Sequence, residues 1–188
     1  MRAGSKGFTL IELMAVAIIL LILVGLGVPA IRYHYGKSKK NKAIAQLLRL
    51  ETALENYKND LGAYPVVLTE AEYFGDSGSD KNKRSVLIQA LSGFDKNKNK
   101  LAQYWNDSDW HGPYLEFTAK ELDASGQFID PWKQPYLFDG TAGGRALKNL
   151  QSFDIVSRGE DKQWDSSNAG NPLNDDNIVN WTGDFTAQ

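Results

Sequence analysis

The sequence predicts an α+β chain: a long N-terminal helix, transmembrane at first and amphipathic after, packed on a small antiparallel β-sheet with a C-terminal loop. Three observations predict it. The run 8–28 is apolar apart from Thr9 and Glu12. Ala43, Leu47, Leu50, Leu54, Tyr57 and Leu61 then recur at alternating spacings of four and three, which is one stripe along a helix. Beyond residue 112, short apolar–polar alternations are separated by Gly, Pro and Asp, the pattern of strands and turns.

The totals set the bounds. A length of 188 residues suits one domain and a separate element. A net charge of −2 recruits neither nucleic acid nor an anionic surface. There is no cysteine, which excludes disulfides, thiol catalysis and Cys-based zinc sites. It leaves the compartment open, because such a chain suits either redox environment.

Each element follows from its residues. The opening residues 1–7 are short, glycine-rich and basic, with Arg2 and Lys6. The apolar run after them, about 20 residues, fits one helical bilayer crossing. The basic start keeps the extreme N-terminus cytoplasmic. A removable secretory signal is the rival reading, and Glu12 argues against it. A carboxylate within such a run costs about 2.5–3.5 kcal/mol on insertion scales, and an intramembrane acid calls for a partner. Past Pro29, the residues Arg32, Lys37, Lys39, Lys40 and Lys42 make a solvated collar. The stripe continues the helix to about Leu61, and Gly62 stops it.

Residues 66–112 are a variable insert with a short helix expected over 85–91. Asp95, Asn97 and Asn99 imitate the start of an EF-hand loop. Lys100 stands at the glycine position and Asn106 at the bidentate-acid position, so no calcium site is expected there. Strands are expected over 112–117, 134–138 and 152–157. The glycine-rich segment 139–144 makes a hairpin connection. The end of the chain is acidic and loop-like.

Several motifs carry a family resemblance. Gly7-Phe8-Thr9-Leu10-Ile11-Glu12-Leu13 resembles the class III signal of type IV pilins and type II secretion pseudopilins. Gly62-Ala63-Tyr64-Pro65 resembles the pseudopilin turn that follows the long helix. Asp130-Pro131-Trp132, with Pro135-Tyr136, looks like a motif of the major pseudopilins of type II secretion. The resemblance implies a pilin-like fold. It implies that prepilin peptidase removes residues 1–7 by cutting between Gly7 and Phe8, and that the new Phe8 amine is N-methylated. Glu12 then matches the acid that pairs with the Phe8 amine of a neighbouring subunit, and Pro29 matches a helix-distorting proline. The implied organisation is a leader (1–7), a transmembrane half-helix (8–28), an amphipathic half-helix (29–61) and a periplasmic globular domain (62–188). The chain is then a homopolymer subunit, single-pass in the inner membrane. Its implied partners are prepilin peptidase, minor pseudopilins and an inner-membrane assembly platform.

The acidic end resembles the major pseudopilin segment in which a loop binds one calcium ion. The resemblance implies Asp161, Asp175 and Asp176 as carboxylate ligands and Arg158 as a backbone carbonyl ligand. Calcium takes six to eight hard oxygens from such loops. Asn177 stands where the family commonly has an aspartate, and an acidic surface loop is the alternative.

No nucleophile elbow, phosphate loop or metal-binding histidine pair occurs, so no enzyme is expected. His34 and His111 read as surface residues. Within the filament class, a type II secretion pseudopilus subunit leads. A type IV pilus pilin or a minor pseudopilin is the alternative.

Overall fold

A computed structural model describes residues 7–66, 78–139, 149, 152–165 and 171–181. Within helices, the side chains of residues 24–35 and 78–81 lie outside the description. The chain divides into two compact units, Met1–Lys39 and Lys40–Gln188. Helix α1, Leu10–Leu61, contributes to both.

The first unit is the start of α1. Its described apolar side chains find no core: Leu10 is 79% exposed, Ile11 75% and Leu23 61%. Among the described residues, no helix is long and apolar enough to cross a membrane. The side chains of the expected span beyond Leu23, with Pro29, Arg32 and His34, fall outside the described ones. The backbone of α1 is helical through Pro29.

The second unit has a core, and the stripe of α1 is its floor. Ala43, Leu47, Leu50, Ala53 and Leu54 are fully buried. Each such leucine contributes roughly 1.5–3 kcal/mol of burial. Gly62 ends the helix, its N–H donating to the Lys58 carbonyl at 2.8 Å and its φ at +76°. That left-handed value favours glycine as a helix stop. Helix α2, Gly78–Ser92, adds Leu87, Ile88 and Leu91 to the same core. It contains the expected 85–91 helix and is longer. A single turn, α3 (Ala102–Trp105), follows.

Among the described residues, the sheet has three antiparallel strands in sequence order: β1 Leu137–Asp139, β2 Asp154–Ser157 and β3 Ile178–Val179. Phe138 pairs with Ile155, and Ser157 with Ile178. Strand alternation splits the side chains between two faces. Phe138, Ile155 and Ile178 join the α1 core. Leu137, Val156 and Val179 form a second cluster with Trp164 and Trp181.

Two strand expectations change. Residues 112–117 are not a strand: the Tyr114 and Leu115 N–H groups both donate to the Leu91 carbonyl, at 2.8 and 3.0 Å. Their donors serve the end of α2 instead of a ladder. Conversely, β3 lies within the stretch read as acidic loop. The expected hairpin connection falls mostly outside the described residues, although the β1–β2 pair it joins is antiparallel.

Three five-residue turns share one construction. In each, an aspartate Oδ1 accepts from the N–H groups two and four residues on. Asp95 takes Asn97 and Asn99 at 2.8 Å. Asp123 takes Ser125 and Gln127 at 2.9 Å, and Asp130 takes Trp132 and Gln134 at 2.9 Å. The fourth residue is left-handed each time: Lys98, Gly126 and Lys133. Thus the EF-hand-like aspartate at 95 closes its own turn.

The third turn leads into Tyr136, whose buried hydroxyl donates to the Ala43 carbonyl at 3.1 Å and to Gln46 Oε1 at 3.2 Å. Glu121 makes a second polar tie to α1. Its Oε1 accepts from Arg49 at 2.7 Å and Gln46 at 3.3 Å, and its Oε2 from the Thr118 N–H at 2.9 Å. Burial alone would raise the Glu121 carboxyl. The bonds from Thr118, Arg49 and Gln46 outweigh it and hold the group below the usual carboxylate value.

A depressed folded-state value means stability present above the unfolded value of about 4.3 and lost as pH falls through the folded one. Glu121→Gln should therefore lower Tm at pH 7, and the deficit should shrink at about pH 3. Thermal denaturation at both values checks this; an equal deficit contradicts it.

Candidate functional site

Two regions carry the expected site residues, one in each unit. In the first, Gly7, Phe8 and Thr9 precede α1 without regular structure. A Cβ placed on Gly7 would meet nothing within 4 Å, and Phe8 is 86% exposed. The Gly7–Phe8 bond thus joins two exposed residues outside regular structure.

Thr9 and Glu12 form a capping box at the start of α1. Glu12 Oε2 accepts from Thr9 N and from Thr9 Oγ1, both at 2.8 Å. In return, the Glu12 N–H donates to Thr9 Oγ1 at 3.3 Å. Reciprocal bonding of this kind satisfies donors that a helix start leaves open. The signal was legible, since threonine followed three residues later by glutamate is the capping-box signature. The reading of Glu12 looked for a distant partner and passed over the local one.

Around Glu12 the surface is apolar. Phe8, Leu10, Ile11, Leu13, Met14 and Val16 are each more than half exposed. A surface of this kind marks a membrane or protein contact. Lys37, Lys39 and Lys42 are exposed further along α1.

In the second region, residues 158–165 and 171–177 are the described parts of the acidic loop between β2 and β3. The expected carboxylates stand apart in role. Asp176 Oδ2 accepts from the N–H groups of Glu160 and Asp161, the latter at 2.9 Å. Asp161 Oδ1 accepts from the Gln163 N–H at 2.7 Å. Asp175 is exposed. Among the described residues, no three acidic or histidine side chains gather as a metal-binding group.

What the loop does bring together is oxygen of another kind. Asn174 Oδ1 accepts from the Asp165 N–H at 3.0 Å, and Asn174 Nδ2 donates to the Asp165 carbonyl at 3.0 Å. These two bonds fix the Asn174 amide. The end of the Asn177 amide that lies 3.0 Å from Asn174 Oδ1 must then be its nitrogen. Its other end is oxygen, 2.9 Å from the Arg158 carbonyl and 3.1 Å from the Gln163 carbonyl. Swapping the Asn177 amide would give both carbonyls a donor, but it would set Asn177 oxygen against Asn174 oxygen.

Three oxygens therefore converge beside a buried asparagine, 3% exposed. Close oxygens without a hydrogen between them repel, and a hard cation relieves this. Around calcium, with bonds of about 2.4 Å, neighbouring equatorial oxygens of a pentagonal bipyramid stand about 2.8 Å apart. Of the sequence-expected ligands, the Arg158 carbonyl belongs to this cluster. Asn177, which stands where the family commonly has an aspartate, supplies the side-chain oxygen, and the Gln163 carbonyl is the oxygen that no residue signature suggested.

Thr9→Ala should remove the hydroxyl that both accepts from and donates to Glu12, weakening the helix start by about 1 kcal/mol. Amide hydrogen exchange in detergent should then quicken over the first turn of α1 and stay unchanged in the second unit. Unaltered exchange at the first turn contradicts the capping role.

Residues 2–28 match the family described as the prokaryotic N-terminal methylation motif. The chain is 30% identical over 182 residues to the type II secretion system core protein G of Pseudomonas aeruginosa, covering 96% of this chain and 97% of that one. It is 44% identical over 184 residues to the protein of the same name from Aeromonas hydrophila, covering 96% and 94%. No solved structure matches the chain. With a methylation motif at its head and full-length likeness behind it, the chain belongs to the family of the type II secretion system core protein G, the major pseudopilins.

Proposed function

We propose that this chain is the repeating structural subunit of a type II secretion pseudopilus, polymerised through the start of α1 to drive protein export across the outer membrane. One observation carries the reading: a row of uncovered apolar side chains from Phe8 onward, with one carboxylate, Glu12, at its head. Such a surface needs lipid before assembly and other copies of itself afterwards.

The mechanism follows from that geometry. The precursor sits in the inner membrane with its second unit in the periplasm. Prepilin peptidase removes residues 1–7, and the Phe8 amine is methylated. The capping box supplies Glu12 with donors while the subunit waits in lipid. On assembly, Glu12 takes the Phe8 amine of the adjoining subunit as its partner, which sets the register. Pro29 removes one backbone donor and lets the helix deform as subunits stack. Minor pseudopilins and an inner-membrane platform are the further partners, and a separate ATPase supplies the energy.

Glu12→Ala should leave the chain in the membrane fraction and abolish filaments in sheared-fibre and secretion assays. Normal filaments from that variant would overturn the pairing.

A calcium ion bound by the β2–β3 loop is the second part of the proposal. The Asn177 side-chain oxygen and the carbonyls of Arg158 and Gln163 would hold it, and Asp161, Asp175 and Asp176 on the same loop supply negative charge nearby. When bound, the ion neutralises converging oxygens and ties a loop with little core of its own to the sheet. A chelator should lower Tm, calcium should restore it, and Asn177→Ala should abolish the difference. The loss in Asp175→Ala should be smaller. A chelator-independent Tm in the unaltered chain returns the loop to plain surface.

A further inference from the structure

The aspartate of the Asp130-Pro131-Trp132 turn does more than close that turn. Its Oδ1 holds the turn, as described above. Its Oδ2 accepts from Ser157 Oγ at 2.7 Å. Ser157 is the last residue of β2, so the contact leaves the turn and reaches the start of the acidic loop. Ser157 Oγ in turn accepts from the Gly159 N–H at 3.4 Å. Both side chains are interior, Asp130 being 2% exposed and Ser157 fully buried.

The consequence lies in the peptide unit between Arg158 and Gly159. A trans peptide is planar, and its N–H and C=O point in opposite directions. Holding the Gly159 N–H toward Ser157 therefore aims the Arg158 carbonyl away from Ser157. That carbonyl is the one that stands 2.9 Å from the Asn177 side-chain oxygen. Gly159 permits the bend, at φ +63°, and a Cβ there would overlap Asp176. Burial raises the Asp130 carboxyl above its ordinary value, and the bonds it accepts together with the positive charge of Arg158 act against that rise. Thus the residue whose carbonyl joins the oxygen cluster is tied to Asp130 through its following amide and through its own charge.

We propose that Asp130 is a positioning residue for the cation loop, acting through Ser157 to aim the Arg158 carbonyl at the oxygen cluster. This rests on the calcium reading of that cluster. Hydrogen bonds in series polarise one another, so a carboxylate at the end strengthens the hold of Ser157 on the amide. Groups one step behind a metal ligand orient it, and their loss commonly weakens metal affinity by about 10–100-fold. The Asp-Pro-Trp turn and the loop thereby become one mechanical unit, although residues 130 and 158 lie on opposite sides of β1 in the sequence.

The test is calcium titration of the full-length chain in detergent, read by calorimetry and by Tm, beside the Tm in chelator. Asp130→Asn keeps an oxygen for the turn and removes the acceptor facing Ser157. Ser157→Ala leaves the Asp130 turn bonds in place and cuts the link from the other side, so it stands in if Asp130→Asn does not fold. Both should raise the calcium concentration at half-saturation by about 10–100-fold. A purely structural role would lower the Tm in chelator and leave the half-saturation point unmoved. Binding in the unaltered chain with an unmoved half-saturation point in the variants overturns the positioning role. No binding in the unaltered chain overturns the calcium reading itself, and the positioning role falls with it.

Discussion

The second unit depends on the burial of one helical stripe. Three strands of two to four residues cannot hold together by ladder bonds alone. They persist because Phe138, Ile155 and Ile178 share one buried cluster with Leu47, Leu50 and Leu54 of α1. Helix α2 closes the same core from the insert, with Leu87, Ile88 and Leu91. Polar ties then set the register of this apolar contact. Tyr136 donates to the α1 backbone, and Glu121 binds Arg49 and Gln46. Apolar burial drives the packing, while these bonds select one arrangement of it.

The first unit reverses that logic. Its described apolar side chains are uncovered within the chain, and the Glu12 carboxylate is given local donors. A capping box asks nothing of the neighbours of a subunit, so Glu12 is provided for in a single copy. In the proposed filament the same carboxylate exchanges those neutral donors for a methylated amine, and a charge-assisted bond is roughly twice as strong as a neutral one. A carboxylate with a weaker local partner and a stronger intermolecular one favours the assembled state. Differential interaction of this kind is what shifts an equilibrium.

The stripe was readable in the sequence because it is a statement about side chains. Ala43, Leu47, Leu50 and Leu54 fall at helical spacing and are fully buried. Gly62 was readable as a stop because few other residues adopt its φ. Strand β2 lies inside the predicted 152–157, and β1 overlaps 134–138. The failures concern the backbone. Residues 112–117 alternate like a strand, yet their N–H groups go to Leu91 at the end of α2. Asp95, Asp123 and Asp130 share a turn through N–H groups two and four residues on, which no periodicity displays. In the acidic loop, the family resemblance implied the carboxylates of Asp161, Asp175 and Asp176 and the carbonyl of Arg158. What stands close together there is the Asn177 side-chain oxygen with the carbonyls of Arg158 and Gln163. Residue type reports charge and burial; it does not report where a carbonyl points.

The proposed exchange of partner by Glu12 is tested most directly in the assembled filament. A cryo-electron microscopy map of the pseudopilus, at a resolution that places side chains, should put the Glu12 carboxylate within about 4 Å of the methylated Phe8 amine of the adjoining subunit. A map in which Glu12 remains bonded only to its own Thr9, with the neighbouring amine directed elsewhere, would contradict it.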